Sequence, residues 1–167
     1  MCWRCDHPGS TAEDALNHMK ELMLEHGWAI QGVEGDRLHP PWAYTLGLTD
    51  CGLPELVITG MALNRAGMFL NRMADHALRD GAAQPGERIH LCGGPLAEIV
   101  ELPNPDAHLH TAYAFFGPRL RAIQMVWADD RGRWPWELGF RGCRGGQPVL
   151  GPRTKPWDRP PGTSILG

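Results

Sequence analysis

The chain has 167 residues, 43% hydrophobic and 21% charged, with a formal net charge of −3. That length and balance indicate one globular domain, which buries roughly 70% of its unfolded surface without needing a metal to hold a core. An acidic balance gives no basic face for nucleic acid, and no apolar run reaches the ~20 residues that cross a bilayer. No signal-peptide pattern is visible at the start, so the expected compartment is the cytosol. There the five cysteines are expected as thiols or metal ligands rather than disulfides.

In chain order, Ser10-Thr11-Ala12-Glu13 reads as a capping box. Ala12, Ala15, Leu16, Met19, Leu22, Met23 and His26 follow at helical spacing, with Gly27 as the stop, so a helix is predicted over 11–26. Residues 28–33 read as a strand. The Pro40-Pro41 pair holds His39 extended, and 42–48 is the next strand, with Gly47 marking a bulge or a close backbone approach. A turn at Asp50-Cys51-Gly52 leads to a strand over 55–59 that neighbours it. Leu63, Ala66, Leu70, Met73, Ala74 and Ala77 line a second helix over 62–80, ended by Gly81.

Strands are predicted at 88–92 and 96–102, a short helix at 108–116 and a strand at 122–128, with Asp129 to Gly132 as a turn. From Arg141 the chain becomes rich in Gly, Pro and Arg, with no periodicity. The expected fold is therefore α+β: a mainly antiparallel sheet, two principal helices, a single domain over 1–140, and an irregular tail over 141–167 that wraps the domain or is partly disordered. Cys51, Cys92 and Cys143 read as isolated, buried apolar residues.

Three groups of residues carry possible chemistry. Cys2, Cys5 and His7 can aim two sulfurs and a nitrogen at one point, the donor set that suits zinc. A fourth ligand is sought in His108 or His110, whose spacing turns both rings one way if the segment is extended. His90 and Cys92 are the next choice. A protein fourth ligand would make the site structural, and water in its place would make it hydrolytic. The second group is Tyr44, Thr45 and Glu55, which can offer hydroxyls and a carboxylate. The third is Trp127, Asp129, Asp130, Trp134 and Trp136, where indole faces can sandwich a planar ligand and carboxylates can hold a cation or a sugar hydroxyl. Phosphate-loop, dinucleotide, zinc-protease and serine-hydrolase motifs are all absent.

Taken together, Cys-x-x-Cys-Asp-His-Pro-Gly at 2–9, Gly27-Trp28, Ala43 to Leu48, Leu53-Pro54-Glu55-Leu56-Val57, Gln124-x-Val126-Trp127-Ala128-Asp129, Trp134-Pro135-Trp136 and Gln147 to Gly151 resemble the bacterial domain-of-unknown-function family four-two-six-two (DUF4262). The resemblance implies a small one-domain intracellular protein and assigns no activity. Three functional readings stand beside it. One is a metal-binding protein, with zinc in the N-terminal loop. Another is a protein or enzyme holding a small molecule, a flavin or nucleotide, between the Tyr44 strand and the Trp127–Trp136 turn. The last is a protein-interaction module docking through its tail or its tryptophans.

Overall fold

In a computed structural model, which describes residues 7–91, 94–142, 145–154 and 163–166, Thr11 rather than Ser10 caps the first helix. Its hydroxyl accepts from the Asp14 amide at 3.1 Å, and the Asp14 carboxylate accepts from the Thr11 amide at 2.8 Å. The box is displaced by one residue because the Ser10 amide is already held in a turn by the carbonyl of His7, which leaves Thr11 as the last extended residue. This helix, α1, covers Ala12–His26 and ends on Gly27 in the left-handed conformation.

The chain then forms β1 (Ala29–Val33), β2 (Trp42–Leu46), β3 (Glu55–Thr59), α2 (Leu63–Asp80), β4 (Arg88–Leu91), β5 (Leu96–Leu102), α3 (His110–Phe116), β6 (Ala122–Trp127) and β7 (Thr163–Leu166). The strand expected to run to Leu48 stops at Leu46, where Gly47 takes φ 124° and a 3-10 turn over Leu48–Cys51 follows. A side chain at Gly47 would stand 2.9 Å from the Gly27 carbonyl oxygen, so Gly47 marks a close backbone approach.

The strand order is β1-β2-β3-β6-β5-β4-β7. The sheet is mixed: β3 with β6 and β4 with β7 are parallel, and the other neighbouring pairs are antiparallel. The last stretch of chain is irregular over 145–154 but adds an edge strand at Thr163–Leu166, beyond the irregular tail read from composition. Among the described residues no helix is long and apolar enough to cross a membrane.

Alternation along the strands sorts the core onto two faces. Ala43, Leu56, Ile58, Ile99, Ile123 and Met125 pack under Phe69, Leu70 and Met73 of α2. Tyr44, Leu46 and Val57 face the other way, against Met19 of α1 and Leu109, Ala112 and Phe116 around α3. On that second face Val100 and Val126 have no helix above them. Trp134, Trp136 and Val149 cover them instead, so the segment after Gly145 does for this part of the sheet what a helix does elsewhere. It lies directly on the sheet: a side chain at Gly60 would strike the carbonyl of Gly146, and one at Gly151 would strike that of Glu101.

Candidate functional site

Of the proposed metal ligands, Cys2, Cys5 and the reserve donor Cys92 lie outside the described residues, as does Cys143. His7 is exposed just ahead of α1. His108 and His110 do not lie on a strand. His108 ends the 3-10 turn Pro105–Ala107 and His110 is the first residue of α3, so the alternating geometry that would align their rings is lost. His90 is an exposed residue of β4. Among the described residues no group of three or more His, Cys, Asp or Glu side chains is gathered as a metal site. Cys51, expected inside, is exposed, because the 3-10 turn that carries it sits at the sheet's end.

Topology still gives His108 and His110 a common end. Gly27 closes α1 beside Gly47, where β2 also ends. The last turn of α3 lies near Met23 and Gly47, while His108, which precedes α3, lines a pocket with Trp42. His108 and His110 therefore lie towards the Trp42 end of this face.

Thr45 and Glu55 come together, but below the surface. Both are fully buried. One oxygen of Glu55 accepts from the Thr45 hydroxyl at 2.6 Å. The other accepts from the amides of Gly47 and Thr49 and the Thr49 hydroxyl at 2.8–3.0 Å. Burial pushes the Glu55 carboxyl up, and these bonds oppose the shift only in part. Glu55 thus ties off the 3-10 turn and presents nothing to a ligand. Tyr44 is likewise buried, beneath α3, with its hydroxyl beside Thr111. Burial raises its pKa.

The tryptophan-rich turn is built around Asp129. Its carboxylate accepts from the amides of Arg131, Arg133 and Arg141 and from the Arg133 guanidinium, all at 2.9–3.0 Å. Burial would raise its pKa, but those donors outweigh burial and hold the carboxyl well below the ordinary range. Asp130 is exposed beside it. Trp134 and Trp136 stack on each other at 5.3 Å and 4°, with Arg88 over the first ring and Arg153 over the second. Both arginines also reach the buried Glu98, at 3.2 and 3.5 Å. Trp127 packs against Phe140 and donates its indole N–H to the carbonyl of Thr59. The two groups of expected ligand residues therefore do not meet. One is a buried knot between β2 and β3, and the other fastens the turn and the tail.

A pocket of about 160 Å³ opens at the Trp42 end of the sheet, closed by His39, Pro40, Trp42, Thr59, His108, Pro148 and Leu150. Its floor is a hydrogen-bonded lattice. The buried amide of Gln124 donates to the Pro148 carbonyl at 2.7 Å and to the Thr59 hydroxyl at 2.9 Å, and it accepts from the Leu150 amide at 2.8 Å. The Thr59 hydroxyl donates in turn to the Pro148 carbonyl. At the rim, both Asp36 oxygens face Nδ1 of His39 at 3.0–3.1 Å, and one also accepts from the amides of Leu38 and His39. The His39 side chain, then those two amides, pull the Asp36 carboxyl down to about 2. With Nδ1 taken, Nε2 is the nitrogen His39 has left for a ligand. A carboxylate–imidazole pair of this kind can hold or pass a proton.

The family model for a domain of unknown function, DUF4262, matches residues 22–141. The chain belongs to the DUF4262 family. The Cys loop at 2–9 and the Gln147–Gly151 stretch lie outside the matched residues. No curated protein and no solved structure matches the chain.

In this DUF4262 protein, sequence reasoning overlooked His39, Trp42, Thr59, Gln124 and Gln147. Gln124 left a signal: it is the one polar residue between Ala122 and Trp127, and a polar residue within a buried strand needs partners. Trp42, directly after two prolines, left another. Thr59 gave none, because its role depends on Pro148, distant in sequence.

Proposed function

We propose that this DUF4262 protein binds a small molecule in the pocket between Trp42 and His108. The observation that carries the reading is convergence. Four separate stretches close one pocket, an indole and two imidazoles line it, and a fully buried glutamine holds its wall in place. Apolar walls with a few convergent polar groups are what small-ligand sites offer.

The ligand is compact and mainly apolar, flat enough to lie on Trp42, with a carboxylate or similar acceptor for His39 and His108. The pocket, at about 160 Å³, is smaller than the roughly 300–1,000 Å³ typical of drug-sized sites. That favours a ligand smaller than the flavin or nucleotide expected between the Tyr44 strand and the Trp127–Trp136 turn. The test is a small-fragment panel including benzoate and indole, read on the Trp42 indole and on the His39 and His108 ring resonances. Coincident shifts that vanish in Trp42→Ala support the reading. No fragment moving those signals sinks it.

Zinc is the second reading, and it rests on the donor set of Cys2, Cys5 and His7, with His108 or His110 as the fourth ligand. Zinc there would tie the N-terminal loop to the body, or hold a water if the fourth position is open. Elemental analysis of untagged protein, purified under reducing conditions, tests it. About one zinc per chain, lost in Cys5→Ser, supports the site, and under about 0.3 excludes it.

A further inference from the structure

A cavity of about 420 Å³ opens at the other end of the sheet, where β3 and β6 begin and β5 ends. Its walls include Leu53, Pro54, Leu102 and Pro103. Prolines have fixed φ, so a wall built on them is largely preformed. Glu101 and Arg121 also line it. Ile123 is paired with Glu101 across β5 and β6, and Arg121, one residue ahead of β6, falls on the same face as Ile123. The two opposite charges are therefore diagonal neighbours, roughly 7–8 Å apart at the backbone in ordinary sheet geometry.

Arg121 is steadied at the rim by the bond from its η nitrogen to the Gly52 carbonyl at 2.7 Å. Both charged residues are exposed. The chain leaving the C-terminal end of α2 enters the same lining at Ala82. The partial negative charge of that helix end favours a cation in the same cavity.

We propose that this cavity binds a free α-amino acid with an apolar side chain. Arg121 takes the carboxylate, because a guanidinium matches it in plane and can donate twice. Glu101 takes the ammonium. The side chain lies against Leu53 and Pro54. A zwitterion is the ligand that satisfies two opposite charges held side by side. This site stands apart from the His39–Trp42–His108 pocket, and neither depends on the other.

The experiment is calorimetric titration of the full chain with leucine, methionine, valine and phenylalanine, each at up to about 10 mM, the range in which weak zwitterion binding is read. N-acetyl-leucine lacks the ammonium and leucinamide lacks the carboxylate, so both serve as controls. At least one free amino acid is expected to bind, with each blocked form at least about tenfold weaker. Glu101→Gln should lose the discrimination against N-acetyl-leucine, and Arg121→Met that against leucinamide. Both are surface changes whose folding is checked by circular dichroism. Absence of binding by all four amino acids overturns the proposal. So does equal binding of the blocked forms, or unchanged affinity in both variants.

Discussion

The side-chain amide of Gln147 stands in for a strand beside Trp127. Its Nε2 donates to the Trp127 carbonyl and its Oε1 accepts from the Trp127 amide, each at 2.8 Å. β3 pairs with β6 only as far as Gln124, so that edge of Trp127 would otherwise be an unmet, half-buried donor and acceptor. Gln147→Ala is expected to cost about 2 kcal/mol, the penalty for stranding such groups. Urea denaturation measures it, and Gln147→Glu, which keeps an acceptor, should fall between the two.

Gln124 holds the same stretch after Gly145, a strap across the sheet, from beneath. Gln124→Leu keeps the volume but abandons the Pro148 carbonyl, the Leu150 amide and the Thr59 hydroxyl. A loss of about 2–4 kcal/mol is expected. Faster hydrogen exchange at the Leu150 amide should accompany it, since the loss is concentrated in the strap. Unchanged exchange there would show that other contacts fasten it.

Glu55 separates burial of charge from loss of bonds. Glu55→Ala leaves four donors facing a cavity and should destabilise by about 3 kcal/mol or more. Glu55→Gln keeps an oxygen for the 3-10 turn, while its amide can donate to the Thr45 hydroxyl. Because burial raises the folded pKa of Glu55, its stabilising contribution is complete below the unfolded value of ~4.3 and falls as pH rises through the folded value. Glu55→Gln should therefore compare better with the parent at pH 8 than at pH 5, by chemical denaturation at each.

Asp36 behaves oppositely. Its folded carboxyl is pulled down to about 2. The turn it organises is therefore fully supported above the unfolded value of ~3.9 and loosens as pH falls towards the folded one. The Leu38 and His39 amide resonances should move together between about pH 4 and pH 2, and Asp36→Asn should remove the transition. A transition that survives the substitution would assign it to another carboxyl.

Helices and strands were legible where a local pattern is also the folded pattern. α2 follows from its repeat of apolar residues and its closing glycine, and β3 from a continuous apolar run. The capping box was read one residue early because Ser10 and Thr11 offer the same hydroxyl, and only the turn from His7 decides between them. Of the candidate site, His108 was legible as a side chain that can carry chemistry. Its neighbours Trp42 and Thr59 were not, because nothing local to them signals a pocket. Glu55 and Asp129 were legible as chemically capable carboxylates. Neither its burial nor the donors around it can be read from a one-dimensional string.

By itself, the sequence determined the α+β class, the family and the order of the elements as far as β6. These depend on periodicity, caps and turn residues that act within a few positions. Tertiary structure alone decided that β6 inserts beside β3, that the stretch after Gly145 lies across the sheet in place of a helix, and that His39, Trp42, His108 and Pro148 share one pocket. Each of these depends on which distant backbone groups are left without partners, and that is settled only once the strands have paired.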